Sequence, residues 1–264
     1  MSIDWEEVQK ARHHLSREQG TVVKDWGGKL AVALVYPNSY FLGMSNLGVH
    51  ALYRLLNNDT NVVCERLFWE NTPLDVLPIS IETQKPLTDF AVIAFSVSYE
   101  LDYFNIVQIL KASGIPLYAK DRDETMPLII AGGPCVMANP LPIAHFFDVL
   151  CNGEAEVIIP AILPTISGHT SDRRADLLSA LAAIPGIYVH QQPPSKPVMR
   201  QSTKNLDAFP ITTAIVSPDT ELGDMYLFEV ELGCSWHCRF CLACYIFFPM
   251  RVRSMENLLA LAQE

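Results

Sequence analysis

The sequence predicts an α/β fold in which a doubly wound domain is followed by the beginning of a second unit. Near-continuous apolar runs, such as residues 29–36, suit strands that are buried on both faces of a parallel sheet. Segments with helical spacing alternate with these runs, as they do in doubly wound domains. A last strand, predicted over 225–232, leads directly into a group of cysteines.

The first domain is predicted to cover residues 1–190. Its strands are short apolar runs closed by turn residues, and its helices have apolar residues at intervals of three and four. The predicted strands are 29–36, 62–68, 91–97, 128–132 and 147–150, and the predicted helices are 1–20, 43–56, 102–113 and a segment after 156. This alternation favours a mainly parallel sheet with helices on both faces.

Four loops are expected to form the ligand edge of this sheet, because ligands of such folds lie at the carboxyl ends of the strands. These loops are 37–45, 96–101, 132–138 and 153–156. Gly132 and Gly133 would allow the backbone to approach a ligand closely, although a tight turn would use them equally well.

The second unit is predicted to begin after a linker at 191–224, which starts with the proline-rich run QQPPSKP. Residues 225–264 then contain the strand, the cysteine loop and a helix. Ser254 is the expected N-cap of that helix, with Glu256 in its first turn.

Composition excludes several classes of protein. The 264 residues are 50% hydrophobic, which is enough for a large core. The sequence contains no apolar run of roughly 18 residues and no signal peptide, so we expect a cytoplasmic location without membrane contact. The net charge of −10 disfavours a general nucleic-acid surface. The only local basic patch would consist of Arg239, Arg251 and Arg253, which solvated surface arginines would explain equally well.

The cysteines are the most informative feature. Cys234, Cys238 and Cys241 have the spacing C-x3-C-x2-C within CSWHCRFC. Three thiolates can hold three irons of a [4Fe–4S] cluster and leave the fourth iron open, whereas full protein ligation takes four. A structural zinc site is less consistent with a single group of cysteines, and a chance group of buried thiols is the remaining alternative.

Cys244 extends the run to C-x3-C-x2-C-x2-C and leaves two readings open. As a non-ligand, it leaves the open iron available. As a fourth ligand, it would close that iron and make the chain an electron-transfer or ligand-binding module. A replacement of Cys244 separates the two readings, because only the second predicts loss of iron.

The cysteine run, with Phe240 before its last cysteine, resembles the signature of the radical SAM superfamily. The segments YPNSYFLGMSNLG, AGGPCVMANP, FFDVLCNGEAE and ELGCSWHCRFCLACY resemble a poorly characterised bacterial group of radical SAM proteins of the cobalamin-binding-domain type. The resemblance covers most of residues 20–255. It implies a flavodoxin-like, B12-binding-like first domain, followed by the start of a partial TIM barrel.

The resemblance also implies the chemistry. Cys234, Cys238 and Cys241 would hold the [4Fe–4S] cluster, and S-adenosylmethionine would occupy its open iron. An electron from a donor such as flavodoxin or ferredoxin would then cleave S-adenosylmethionine to a 5′-deoxyadenosyl radical. Phe240 would lie on the cluster or adenine side. No other catalytic side chain and no substrate are indicated.

Two departures from the family pattern qualify these expectations. The loop D-x-H-x-x-G, which supplies a histidine to cobalt in the familiar arrangement, is absent, and His50 and His145 are expected to pack on helices. Cobalamin binding is therefore open between a histidine-free mode and a domain without the cofactor. The chain also ends 20 residues after Cys244, so we expect an N-terminal fragment that exposes apolar surface and is inactive alone.

Overall fold

The computed structural model describes residues 3–70, 72–169 and 173–263. The helices are α1 (Trp5–Arg17), α2 (Tyr40–Met44), α3 (Leu47–Asn58), α4 (Asp102–Ala112), α5 (Pro134–Ala138), α6 (Ala155–Gly168), α7 (Arg174–Ala182), α8 (Ala243–Ile246) and α9 (Met255–Leu261). The strands are β1 (Leu30–Tyr36), β2 (Val62–Phe68), β3 (Val92–Ser96), β4 (Leu128–Gly132), β5 (Val149–Cys151), β6 (Ile187–Tyr188), β7 (Glu231–Leu232) and β8 (Arg251–Val252).

A six-stranded sheet forms the centre of the fold, in the order β2-β1-β3-β4-β5-β6. Strands β1 to β5 pair in parallel, and β6 adds an antiparallel edge. Successive side chains of β1 enter two different cores, with Val32 and Leu34 on one face and Ala33 and Val35 on the other. The predicted mixed α/β fold with a mainly parallel sheet is therefore confirmed.

Helices cover both faces of the sheet. Helices α3 and α6 contribute apolar residues to one core, and α4 contributes Ile106, Ile109 and Leu110 to the other. In the sheet, β1 lies between β2 and β3. The chain runs from β1 to β2 on one side and then returns to β3 on the other side of β1. The connections therefore change from one face of the sheet to the other at β1. This is the switch point at which doubly wound sheets bind ligands.

Several predicted elements differ from the structure in physically informative ways. The helix predicted over 43–56 is divided into α2 and α3, because the side chain of Asn46 accepts a hydrogen bond from the Gly48 amide and starts a new helix. The strand predicted over 225–232 is reduced to β7. Residues 225–229 instead lie along 211–213, where the Thr213 amide bonds to the Leu227 carbonyl.

His145 lies in a helix but is not packed into the fold, in contrast to the prediction. It is exposed in the 3₁₀ helix Leu141–Phe146, and its ring lies edge-on to that of His190 with centroids 4.2 Å apart. The predicted N-cap of α9 is confirmed, since Ser254 Oγ accepts from the Asn257 amide at 3.1 Å. None of the helices in the described ranges is long and apolar enough to cross a membrane.

The segment 191–224 lies against the first domain. Residues Gln19 and Val216 form an antiparallel bridge, and the Arg54 guanidinium donates to the Thr213 carbonyl at 2.8 Å. This segment therefore carries the chain back across α3 before it reaches the cysteines. The division of the chain into domains at 190 and 225 stays a prediction.

A buried ionic network fixes the N-terminal segment to the sheet. The fully buried Arg66 of β2 lies 2.7 Å from both Glu18 and Glu82, whose side chains are equally buried. Burial raises the pKa of Glu18, but the hydrogen bonds and charge of Arg66 outweigh it and the pKa lies below its ordinary value. At Glu82 burial dominates, and the pKa is raised.

Candidate functional site

A cavity of about 370 Å³ opens at the carboxyl edge of the sheet. It lies between the sheet, α3 and α6, and three of the four predicted loops contribute to it at 96–101, 132–138 and 153–156. The fourth predicted loop, 37–45, is followed directly by Asn46, which also lines the cavity. Its deeper walls are apolar, formed by Val32, Leu34, Val92, Ala94, Ile130, Leu52, Ile158, Ile159 and Ile162.

The cavity reaches the middle of the sheet. Ala94 lies in the central part of β3 and yet is only half-buried, whereas Val92 and Phe95 in the same strand are buried. A parallel sheet is normally covered on both faces. Small residues on the facing helices leave this gap, namely Gly48 and Ala51 on α3 and Ala155 on α6. The arrangement provides an apolar site for a ligand of moderate size.

Polar groups surround the mouth of the cavity. Ser96, Ser98 and Asn46 lie on one side, and Glu156 and Glu229 lie on the other. Burial raises the pKa of the Glu156 carboxyl. Burial also raises the pKa of Glu229, although the nearby Arg253 acts in the opposite direction. The mouth therefore combines neutral hydrogen-bonding groups with carboxylates that are partly removed from water.

Gly133 makes the close turn after β4. Its φ of +105° lies in the region that favours glycine, and a Cβ there would be 2.7 Å from the Val97 carbonyl oxygen. Of the two readings of Gly132 and Gly133 that the sequence left open, the tight turn is present. The same turn lines the cavity.

His50 is fully engaged inside the fold. Its Nε2 lies 2.9 Å from the Met44 carbonyl oxygen, and its Nδ1 accepts from the Ala214 amide at 3.2 Å. Burial lowers the pKa of this imidazole, so it stays neutral. The packing predicted for His50 is confirmed, and no histidine lines the cavity within the described ranges.

The cysteine loop lies between β7 and β8, which pair with each other. Gly233 turns the chain immediately before Cys234 with a φ of +95°, and a Cβ at this position would be 2.7 Å from the Phe247 carbonyl oxygen. Leu232 and Phe247, at the two ends of the loop, both line the cavity. The loop therefore stands beside the cavity mouth.

The four cysteines of the loop differ in exposure. Cys238 is exposed, and Cys234 and Cys241 are half-exposed. Cys244 is buried at 1% exposure, and its thiol donates to the Cys241 carbonyl oxygen at 3.0 Å. Three of the four residues are therefore at least partly exposed, whereas Cys244 is buried against the loop backbone, where its thiol also interacts with that of Cys241.

The aromatic side chains of the loop face solvent. Phe240 is 92% exposed and Trp236 is 84% exposed. Apolar exposure continues through Phe248, Val252 and Met255. The structure thus shows the apolar surface that the sequence predicts around the second unit. The proposed contact of Phe240 with a cluster or an adenine stays a prediction.

Three arginines attach the loop to the rest of the chain. Arg200 donates to the Ile246 and Phe248 carbonyl oxygens, Arg251 forms an ion pair with Glu154, and Arg253 forms one with Glu229. Arg251 and Arg253 are half-buried and buried, so they are not the solvated surface residues that the sequence allowed. Their acidic partners and Arg200 were not predicted. One signal in the sequence could have predicted that Arg251 and Arg253 act together. They are two positions apart in an extended segment, which places both side chains on one face.

The chemistry of the loop is that of a soft metal site. Thiolates are the usual ligands of Fe–S clusters and of zinc. In the described part of the chain, no three or more His, Cys, Asp and Glu side chains are already gathered around one point as a metal site. By ligand type the loop cysteines suit an iron–sulfur cluster, but their side chains are not brought together as a metal site in the described structure.

Fold and loop together define a class of protein, in which a doubly wound α/β domain carries a three-cysteine loop beside the ligand edge of its sheet. Residues 48–190 match the family described as radical SAM proteins, N-terminal, and the chain belongs to this family.

The chain is similar to longer proteins. An uncharacterised protein of Methanocaldococcus jannaschii is 32% identical over 237 residues, which are 88% of this chain and 45% of that relative. A structure of the radical S-adenosylmethionine methyltransferase TsrM from Kitasatospora setae, with tryptophan substrate and a SAM analogue bound, is similar with a TM-score of 0.50 and 14% identity. It covers 89% of this chain and 45% of the methyltransferase.

A second structure of TsrM, with cobalamin and a [4Fe–4S] cluster bound, has a TM-score of 0.49 at 12% identity and covers the same shares of the two chains. At this identity the TsrM structures are similar to the present chain in fold alone. The chain spans less than half the length of these relatives.

Proposed function

We propose that this chain is the N-terminal part of a radical SAM enzyme and that Cys234, Cys238 and Cys241 hold a [4Fe–4S] cluster with one open iron. The observation that carries the proposal is the division of the loop thiols. Cys234, Cys238 and Cys241 are at least partly exposed, and the fourth, Cys244, is buried and bonded to the loop backbone. Membership of the radical SAM N-terminal family supports the same function.

When bound, the cluster supplies the electron that cleaves S-adenosylmethionine to a 5′-deoxyadenosyl radical. The residues of the chain position and shield this chemistry. Gly233 and the arginines hold the loop beside the cavity, and backbone amides of the loop are available to the cluster sulfurs. Phe240 is exposed and available to cover the cluster or the adenine. A protein donor such as flavodoxin or ferredoxin would supply the electron.

The proposal includes an architecture. The order 2-1-3-4-5 of the parallel strands is that of flavodoxin-like folds, which supports a flavodoxin-like first domain. We infer that β7 and the cysteine loop begin a partial TIM barrel, whose other strands would cover the apolar side chains around Phe240. The greater length of the relatives supports this inference. We also expect the protein to act in the cytoplasm.

Two alternatives stay open at the cavity: a cobalamin bound without a histidine ligand, of which a volume of about 370 Å³ would accept only a part, and a domain without the cofactor. The site is apolar, reaches Ala94 in the sheet and opens beside the cysteine loop, and its described lining contains no histidine. Cobalamin titrated into the chain should show a change in its absorption spectrum. Ala94→Phe, which fills the cavity, should abolish this change, and Ala91→Leu at an exposed position should not. Failure of the unmodified chain to bind cobalamin would favour a domain without the cofactor.

The competing function is a four-cysteine electron-transfer or ligand-binding module without SAM chemistry. Electron paramagnetic resonance of the reduced protein, after anaerobic reconstitution with iron and sulfide, separates the two. A [4Fe–4S]⁺ signal that changes when S-adenosylmethionine is added supports the radical SAM function. A cluster signal that does not respond to S-adenosylmethionine supports the module, and a colourless protein that binds zinc contradicts both.

A further inference from the structure

One buried ion pair joins the cysteine segment to the first domain. Arg251 of β8 donates from Nη2 to Glu154 Oε1 at 2.5 Å and from Nη1 to Glu154 Oε2 at 2.9 Å. The exposed fractions of the two side chains are 11% and 4%. This is the two-pronged geometry in which a guanidinium fixes both the distance and the direction of a carboxylate.

Within the described ranges, the Glu154 side chain forms hydrogen bonds with residues outside α6. It precedes α6, but its side chain does not cap that helix. Its Oε2 instead accepts from the Thr203 amide at 2.9 Å, and Arg251 Nη1 donates to the Thr203 carbonyl oxygen at 2.5 Å. Glu154 also lines the cavity mouth. The pair therefore links the lining of the cavity to β8, the strand that follows the cysteine loop.

We propose that Glu154 and Arg251 are positioning residues, which set the orientation of the cysteine loop relative to the mouth of the cavity. A buried ion pair adds little net stability over apolar residues of the same size, because the loss of hydration offsets the attraction. What the two-pronged pair supplies is a defined geometry. The cluster ligands would be held facing whatever the cavity binds, and this step rests on the function proposed above.

A second ion pair provides the matched control. Arg174 of α7 donates to Asp148 Oδ2 at 2.6 Å and to Asp148 Oδ1 at 3.3 Å, and the exposed fractions of the two side chains are 10% and 0%. Neither residue lines the cavity or contacts the cysteine loop. This pair should stabilise the first domain without setting the loop against it.

The test compares Arg251→Lys and Glu154→Gln with Arg174→Lys. In the cluster-free chain, Arg251→Lys should speed hydrogen exchange over 246–252 by roughly tenfold, about the loss of one charge-assisted hydrogen bond. Exchange in β1 to β4 should not change in this variant. In the reconstituted protein, Arg251→Lys and Glu154→Gln should bind iron as the unmodified chain does, but the spectral change caused by S-adenosylmethionine should be reduced. Arg174→Lys should preserve that change.

Two results would overturn the proposal. One is unchanged exchange over 246–252 together with an unchanged response to S-adenosylmethionine. The other is faster exchange throughout the sheet, which would make the pair a general stabiliser. If the unmodified chain does not assemble a cluster, the proposed function fails, whereas the exchange measurement still decides the role of the pair.

Discussion

Replacement of Cys244 by alanine should leave the iron content of the reconstituted protein unchanged, whereas Cys238→Ala should remove most of it. The structural reason is the direction of the two thiols. Cys238 is exposed, and Cys244 is buried with its thiol bonded to the backbone of the loop. A thiolate that ligates iron cannot also donate a proton to the Cys241 carbonyl, so the two states of Cys244 exclude each other.

The cost of Cys244→Ala can be worked from its contacts. Removing a buried sulfur costs about 1 kcal/mol of apolar burial, and the lost hydrogen bond costs about 1 kcal/mol more. A total of about 2 kcal/mol would weaken the folded loop roughly 30-fold. Excess iron and sulfide during reconstitution should overcome a deficit of this size, whereas loss of a ligand at Cys238 cannot be overcome in this way.

The assay is colorimetric iron per chain together with visible absorption after anaerobic reconstitution. Cys64→Ala serves as the control, because Cys64 is equally buried but lies in β2, away from the loop. The reasoning is refuted if Cys244→Ala loses as much iron as Cys238→Ala. That result would make Cys244 a fourth ligand and would support the electron-transfer module.

Three further predictions concern the loop and the core. Alkylation at pH 8 should modify three thiols quickly and four slowly, because burial raises the pKa of Cys135 to about 11 and that of Cys151 to about 12; more than three fast thiols would contradict the arrangement of the loop. Gly233→Ala should cost about 1–3 kcal/mol of backbone strain and lower the yield of reconstituted cluster, and an unchanged yield would show that the turn adapts. Glu18→Gln should destabilise the chain by about 2 kcal/mol at pH 7, as measured by urea unfolding. The pKa of Glu18 is lower in the folded chain than its ordinary value, so its contribution is present above that ordinary value and is lost as the pH falls through the folded pKa. The difference between the variant and the unmodified chain should therefore shrink in acid, and a constant difference would exclude the Arg66–Glu18 pair as its source.

The sheet could be predicted because its strands are local features. The bounds 62–68 and 128–132 coincide with β2 and β4, since 128–132 is apolar and 62–68 has apolar residues on both sides of the buried pair Glu65 and Arg66. The strand predicted over 225–232 is longer than β7, because the prediction again used only the apolar pattern along the chain. Residues 225–229 have an apolar pattern, but their partners at 211–213 lie in an irregular segment that periodicity does not identify.

The site could be predicted only in part. Spacing alone indicated the three cysteines, because a cluster loop is continuous in the sequence. The sequence indicated the loops at the edge of the cavity but not the residues that form its walls. Ala94, Gly48 and Ala155 are ordinary small residues in the sequence, and the gap that they leave exists only after two helices and a strand pack together.

The sequence by itself determined the order of β1 to β5 along the chain, the α/β class and the candidate cluster ligands, because these depend on neighbours along the chain, whereas the short elements β6, β8, α5, α7 and α8 were not predicted. Tertiary structure decided which arginines contact the cysteine loop and the residues beside it. Glu154 and Arg251 are separated by 97 positions, and only folding brings them together. It also decided the burial of Cys244, because spacing alone does not distinguish which of four neighbouring cysteines is exposed, and packing at the base of the loop buries this one.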